Sequence, residues 1–258
     1  ELMMKICRYL WGAVLVLSVC FRPAFAEPVY NAFVNVDLVS NIKAIQPGRP
    51  FWVGLQMDMD DNWQTYWKNP GDSGLATTIA WDLPEGFKAG EIQWPFPVRL
   101  DYPEITSYGY KDKVILMTEI TPPENLEIGS QQTVKAHVTW LSCGNMCVPG
   151  KADLSLTLPV QAEEPAINLS ILQMFDETMN NWPKEASQWT VGAYDDGDSY
   201  RLHLIPSAIG AAALTQTAFF PERNDLIDHQ AQQVFEKTGN SYRLTIPKSV
   251  IAYKNTTQ

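Results

Sequence analysis

Cys143 and Cys147 are the two residues whose type and spacing point most directly to chemistry. They stand four positions apart, with Gly144, Asn145 and Met146 between them. On a straight strand this spacing places the Cα atoms about 13 Å apart, whereas a disulfide requires about 4.4–6.8 Å. The chain must therefore turn between them, and Gly144 and Asn145 are residue types that tolerate positive φ. We predict a tight hairpin loop closed by a Cys143–Cys147 disulfide.

Three chemical roles fit this pair: reversible thiol–disulfide exchange, a structural staple and a metal site. A disulfide across a loop of about five residues stabilises a fold by roughly 2 kcal/mol, near the low end for disulfides. Spacing alone therefore favours exchange and leaves the staple open. A metal site would combine His137 with the cysteines, but a closed zinc site takes four ligands, and His203 and His229 fall in a later segment.

The sequence around the pair argues against a self-driven oxidant. The spacing differs from the Cys-x-x-Cys of thioredoxin-like folds. Apart from Lys151 no cation stands nearby in the sequence, and no helix N-terminus is predicted beneath either sulfur to lower a thiol pKa. A passive relay, reduced by one partner and oxidised by another, fits these features better.

Residues 1–26 have the pattern of a secretory signal peptide. Lys5 and Arg8 give a positive start, residues 10–21 form an apolar run, and an Ala-x-Ala cleavage pattern ends at Ala26. The run is shorter than the roughly 20 residues that span a bilayer, so an uncleaved anchor is the weaker alternative. Cleavage would remove two of the four cysteines and leave one pair, which would meet an oxidising compartment after export.

The composition describes a folded, loop-rich β protein. The 258 residues are 45% hydrophobic and 19% charged, which is enough apolar surface for a core. Eighteen prolines and nine tryptophans favour β structure over a helical bundle. The formal net charge of −10 and the absence of a basic patch exclude a nucleic-acid partner.

Short strands separated by turns dominate the part of the chain before the linker. Apolar residues alternate with polar ones, and no helical pattern intervenes, which is typical of an antiparallel β-sandwich. The strands predicted here span residues 30–39, 51–57, 77–83, 113–120, 133–140 and 154–158.

A linker over residues 162–168 divides the chain into a sandwich over residues 27–161 and a second, smaller β-rich domain over residues 169–258. We expect this second domain to be incomplete, because the chain stops at Gln258 soon after a strand. It opens with a helical stretch, and its predicted strands span residues 188–193, 199–205, 215–220 and 241–246.

Several motifs form a specific combination: residues 63–74 (Trp-Gln-Thr-Tyr-Trp-Lys-Asn-Pro-Gly-Asp-Ser-Gly), Trp94-Pro95-Phe96-Pro97, Tyr108-Gly109-Tyr110, Trp140-Leu141-Ser142-Cys143 and Cys147-Val148-Pro149. Together they resemble the periplasmic N-terminal domain of the DsbD family of transmembrane thiol:disulfide interchange proteins. The similarity is greatest to the ScsB-like branch. Ala218-Phe219-Phe220-Pro221 also resembles the second β domain of that branch, although less specifically.

The resemblance implies an immunoglobulin-like antiparallel β-sandwich that carries the cysteine pair. By matching position, Cys147 attacks a partner disulfide and Cys143 resolves the mixed disulfide. The resemblance also implies a cap loop over residues 102–109. Ser107 stands where the classical members carry a capping phenylalanine, so we expect either that Tyr108 or Ile105 covers the pair or that the cap is weaker.

The remaining implied site residues are Glu104 and Gly109 in the cap loop, and Trp140 and Pro149 beside the cysteines. Trp140 stands at a strand end, where a tryptophan is expected to pack in a core. Glu104 is expected to be solvated, although a carboxylate close to the sulfurs would raise a thiol pKa.

The function that the resemblance implies is a protein-disulfide reductase module in the periplasm, belonging to a protein anchored in the inner membrane. It would pass reducing equivalents from a membrane electron-transfer domain to thioredoxin-like or disulfide-isomerase partners, with no cofactor. The main alternative is a secreted β-sandwich binding module with a structural disulfide. Copper handling through Met57 and Met59 is a third hypothesis, although these residues are expected to face a core.

Overall fold

The computed structural model of the chain describes residues 28–207 and 213–250. The predicted signal peptide, residues 1–26, lies outside these ranges. Within them, no helix is long and apolar enough to cross a membrane.

The described ranges consist of strands with one α-helix, α1 (Leu172–Asn180). In chain order the strands are β1 (Val29–Asn31), β2 (Val34–Ser40), β3 (Phe51–Met59), β4 (Gln64–Gly71), β5 (Thr78–Asp82), β6 (Lys88–Ala89), β7 (Val98–Tyr102), β8 (Ile105–Lys111), β9 (Lys113–Thr121), β10 (Gln131–Cys143), β11 (Cys147–Pro159), β12 (Trp189–Asp195), β13 (Ser199–Pro206), β14 (Val234–Thr238) and β15 (Ser241–Pro247).

Two antiparallel sheets form the predicted sandwich. One has the order β1-β2-β3-β9-β6, and the other has the order β11-β10-β4-β8-β7, with β5 also paired to β10. The core between the sheets follows from alternation along the strands, because successive side chains point to opposite faces. In β10, for example, Val134, Ala136, Val138 and Trp140 are all buried in this core, while the residues between them are more exposed.

The helix α1 packs on the outer face of the first sheet. Phe175 is 1% exposed and lies with Ile115 and Met117 of β9 in a second apolar cluster. Gly54 in β3 makes room for this ring, because a Cβ there would lie 3.1 Å from the Phe175 ring. The helix lies within the predicted helical stretch, and it contacts the sandwich directly.

The segment predicted as a linker, residues 162–168, runs along the loop between β2 and β3. The Lys43 amide donates to the Ala166 carbonyl at 3.0 Å, and the Asn168 amide donates to the Asn41 carbonyl at 2.8 Å. These backbone bonds hold the segment against the sandwich.

A third antiparallel sheet, with the order β12-β13-β15-β14, follows the helix and has its own small core of Ile227, Leu244 and Ile246. We call it the C-terminal sheet. The segment that leads into β14 contacts the sandwich: Phe220 packs against the sandwich core, and the Asn69 side-chain amide donates to the Pro221 carbonyl at 2.7 Å.

Two strand predictions are wrong. The strand predicted over residues 30–39 is divided into β1 and β2 by a two-residue turn at Ala32 and Phe33, both of which have positive φ. Residues 215–220 form no strand. These residues do not pair with another strand, and the Phe220 ring packs against the sandwich core instead.

Candidate functional site

The two cysteines close the hairpin formed by β10 and β11. The ladder runs from Gln131↔Pro159 to Cys143↔Cys147, and a disulfide joins the last pair across 4.1 Å between Cα atoms. Within the loop the Gly144 amide donates to the Met146 carbonyl at 2.9 Å. The predicted tight hairpin loop is therefore confirmed, and its tip projects beyond the ladder.

The two cysteines differ in exposure. Cys143 is 4% exposed, whereas Cys147 lies on the surface. Met146, beside Cys147, is 64% exposed and adds an apolar contact surface. A large incoming molecule can therefore approach Cys147 more readily than Cys143.

The glycine in the loop serves contact rather than turn geometry. Neither Gly144 nor Asn145 has positive φ, contrary to the sequence prediction. A Cβ on Gly144 would lie 3.1 Å from both the Trp63 ring and the Asn62 carbonyl oxygen. The loop thus needs a residue without a side chain because the Trp63 indole lies directly against it.

An aromatic pair supports this side of the loop. Phe33 stacks on Trp63 with ring centroids 3.8 Å apart and planes 9° apart. Phe33 and Ala32 both have positive φ, which is uncommon outside glycine, asparagine and aspartate. The Ala32 carbonyl accepts a hydrogen bond from the Ser142 hydroxyl, so this unusual turn is tied to the cysteine hairpin.

Gln64 lies next to the disulfide on its other side. It pairs directly with Cys143 in the ladder between β4 and β10, so the two side chains share one face of the sheet. Gln64 is 2% exposed, and its Oε1 accepts a hydrogen bond of 2.5 Å from the Tyr102 hydroxyl. Paired residues have Cβ atoms about 4.5–5.5 Å apart, so the Tyr102 hydroxyl contacts the residue that lies beside Cys143.

Tyr102 belongs to the cap hairpin, which we define as β7, β8 and the turn between them. The turn places Pro103 before Glu104, which has φ +64°, as in a type II turn. Tyr102 pairs with Ile105, so both lie on the cysteine face, and they are 45% and 39% exposed. Glu104 is exposed, as expected.

A loop that follows β4 holds the tip of the cap hairpin. Asp72 and Thr106 exchange two hydrogen bonds of 2.9 Å, one from each backbone amide. The Ser107 hydroxyl donates to the Ser73 carbonyl at 2.8 Å. Ser107 therefore fixes the hairpin by its hydroxyl, and its side chain is buried.

Tyr108 lies on the opposite face from the cysteines. β8 pairs with β4 so that Thr65 meets Tyr110 and Gln64 meets Lys111, which places Tyr108 and Tyr110 on the core face. Its ring packs edge-on against Phe220, and its hydroxyl lies 3.0 Å from His229 Nδ1. Burial raises the pKa of Tyr108 to about 12. Tyr108 therefore does not cover the disulfide, and Tyr102 and Ile105 are the cap-hairpin residues on that side.

Three further residues predicted at the site have a role in packing or strand geometry. A Cβ on Gly109 would lie 2.1 Å from the Thr65 carbonyl oxygen, so Gly109 lets β8 approach β4. Trp140 is 3% exposed and packs in the core, as expected. Pro149 is exposed on β11, an outer strand of its sheet, where the missing N–H is tolerated.

The proposed metal ligands are separated by the strand. His137 stands six residues before Cys143 on β10, about 20 Å along an extended chain, and its Nδ1 lies 2.6 Å from Asp153 Oδ1. The described ranges hold no group of three His, Cys, Asp or Glu that could bind a metal ion. Met57 and Met59 face the core, as expected.

Sequence reasoning missed Gln64, Phe33 and Tyr102 as neighbours of the pair. Gln64 and Tyr102 lie inside or next to recognised motifs, but nothing in those motifs indicates that their side chains meet. The one available signal was that Tyr102 and Ile105 flank a two-residue turn, which sets them on the same face.

A protein-family model described as thiol:disulfide interchange protein DsbD, N-terminal, matches residues 31–159, half of the chain. The crystal structure of the N-terminal periplasmic domain of ScsB from Proteus mirabilis superposes with a TM-score of 0.60 at 18% sequence identity, covering 85% of this chain and 83% of that chain. No curated protein sequence matches. The structural match confirms the predicted all-β, immunoglobulin-like architecture.

Proposed function

Because the chain belongs to the family of DsbD N-terminal domains of thiol:disulfide interchange proteins, we propose that it relays reducing equivalents through a reversible Cys143–Cys147 disulfide. The donor would be a membrane electron-transfer domain of the same family, and the acceptors would be periplasmic thioredoxin-like or disulfide-isomerase proteins. The chain would act in the periplasm as part of a protein-disulfide reductase, after export by a signal peptide over residues 1–26.

The difference in exposure between the two cysteines carries the proposal. In the reduced protein the Cys147 thiolate, which is accessible, attacks one sulfur of a partner disulfide and displaces the other partner sulfur as a thiolate. The Cys143 thiolate then attacks Cys147 Sγ, forms the intramolecular disulfide and releases the second partner thiolate. The partner gains two electrons and two protons, and a dithiol donor reverses these steps to regenerate the reduced pair.

The shape of the tip suits this order of attack. Cys143 is buried and lies beside Gln64, which Tyr102 contacts, so a partner sulfur would reach it less easily than Cys147. Met146, Tyr102 and Ile105 are exposed apolar side chains on or near this surface and would contact the partner. Weak apolar contact suits a relay, because a transient complex must also dissociate.

The test is mixed-disulfide trapping with a purified disulfide isomerase of the thioredoxin fold, supplied in its disulfide form. We expect reduced Cys143→Ser protein to accumulate a one-to-one complex that dithiothreitol cleaves. Cys147 remains to form the mixed disulfide, and no Cys143 thiolate is present to resolve it. The matched variant Cys147→Ser should form little complex. Equal trapping by both variants would contradict the assigned order, and trapping by neither would contradict the relay.

A further inference from the structure

The cap hairpin is held from a second side by the C-terminal sheet. We call residues 228–231, which lie between the bridge at Ile227 and strand β14, the bracing segment. Within it, the Gln230 carbonyl accepts a hydrogen bond of 3.3 Å from Arg99 Nη2 on β7. The Gln230 side-chain amide donates to the carbonyl of Glu104 in the hairpin turn. One residue therefore contacts both a strand and the tip of the cap hairpin.

The bracing segment is itself fixed. The Asp228 carboxylate accepts hydrogen bonds from the amides of Gln230 and Ala231 at 3.0 and 3.1 Å, and the Asp228 amide donates to the Pro247 carbonyl at 3.0 Å. The first two bonds fold the segment on itself, and the third joins it to β15. Gln230 is consequently presented from a stiff backbone, although its own side chain is exposed.

A buried pair anchors the segment to the sandwich. His229 is 4% exposed, and its Nε2 lies 2.9 Å from the Asn224 carbonyl, to which it must donate. In the neutral ring Nδ1 is then the acceptor for the Tyr108 hydroxyl at 3.0 Å. His229 thus hydrogen-bonds to Tyr108 on the core face of β8, while its neighbour Gln230 hydrogen-bonds to the turn at Glu104.

The turn that Gln230 contacts is strained. Glu104 has φ +64°, a left-handed conformation that is unfavourable for a residue with a side chain. Residues in such conformations persist only when their surroundings hold them, and they cluster at clamps and switches. Here Gln230 bonds to the turn itself at Glu104, and Asp72 bonds to Thr106, two residues further along.

We propose that Gln230 is a positioning residue that keeps the cap hairpin closed beside the Cys143–Cys147 disulfide, so that the bracing segment limits access to the Cys143 side of the pair. The inference rests on the proposed function only in taking this disulfide as the reactive group. Tyr102, which contacts Gln64 beside Cys143, is the side chain that moves away when the hairpin opens.

The test measures the second-order rate constant for reduction of the disulfide by dithiothreitol in the full chain. Gln230→Glu keeps the shape of the side chain and removes its hydrogen-bond donor. We expect its disulfide to be reduced three- to tenfold faster than that of the wild type, a factor that corresponds to the loss of one net hydrogen bond. Gln232→Glu is the matched control. Gln232 is exposed and lines one cavity together with Gln230 and Arg99, but among the described residues it makes no hydrogen bond to the hairpin.

The reduction potential and the melting temperature separate positioning from general damage. An access effect raises the rates of reduction and reoxidation equally and leaves the potential unchanged, whereas a change in the pair itself moves the potential. An unchanged rate in Gln230→Glu, or an equal increase in Gln232→Glu, would overturn the inference. Because dithiothreitol reports access whether or not the chain serves protein partners, failure of the relay proposal would be seen separately by trapping.

Discussion

At the scale of single residues, glycines near the site are required for close contact. Gly144 admits the Trp63 ring, and Gly109 admits the Thr65 carbonyl. Neither has positive φ, so the usual interpretation of glycine as a turn residue does not apply to them. The close packing of Trp63 on the cysteine loop and of β8 on β4 therefore depends on two positions without a side chain.

Asp37 has the most perturbed carboxylate among the described residues. Burial raises the pKa of Asp37 to about 6, opposed by a hydrogen bond from the Leu38 amide. Its Oδ1 is buried and has no hydrogen-bond partner in the described ranges. A folded-state pKa above the unfolded value of 3.8 means that the fold favours the protonated acid. Stability from this group is present below about pH 4 and is lost as the pH rises through about 6.

We expect Asp37→Asn to raise the free energy of unfolding at pH 7 by about 1 kcal/mol, a figure reduced because the side chain is only half-buried. The change should also flatten the dependence of stability on pH between about 4 and 7. Urea denaturation across this range measures both effects. Asp61→Asn, at an exposed position, controls for the loss of one negative charge. A pH dependence equal to that of the wild type would contradict the assignment.

At the scale of elements, much of the β architecture could be predicted because it follows local alternation. The hairpin of β10 and β11 was predictable from its spacing, since the cysteines demand a turn. The division of β1 from β2 was not, because Ala32 and Phe33 carry none of the glycine or asparagine that usually indicates a turn with positive φ. Contacts with Trp63 and Ser142 hold that turn, and these contacts exist only in the folded chain.

The β10–β11 hairpin also depends on a fit between Trp140 and Gly150, which are paired across the strands. A Cβ on Gly150 would lie 2.2 Å from Cε2 of the Trp140 ring. That ring is buried and has little room to move. We therefore expect Gly150→Ala to lower the free energy of unfolding by about 1–3 kcal/mol, the cost of overpacking a core. Chemical denaturation of the oxidised protein measures this loss.

Gly90→Ala is the control for that substitution, because a Cβ there meets only Glu119, at 3.5 Å from its carbonyl oxygen and 3.9 Å from its Cβ, which are ordinary contacts. It should change stability by much less. If both variants unfolded at the same denaturant concentration, the packing of Trp140 on Gly150 would not determine the stability of the hairpin.

At the scale of the whole molecule, contacts between distant parts of the chain shape the site. Gln230 and Glu104 are 126 residues apart in sequence, and Tyr108 and His229 are 121 apart. No periodicity or motif predicts such pairs, since they depend on how the C-terminal sheet docks on the sandwich. For the same reason residues 215–220 were predicted as a strand, whereas Phe220 packs between Trp67 and Tyr108.

The reduction potential of the Cys143–Cys147 pair, measured by equilibration in glutathione or dithiothreitol buffers, tests the central claim most directly. A relay must accept and give up electrons, so we predict a value of roughly −180 to −270 mV, the range of exchange catalysts. A value well below about −300 mV would mean an inert structural bond and would contradict the relay. The chain would then be better described as a β-sandwich binding module whose hairpin is closed by a structural disulfide.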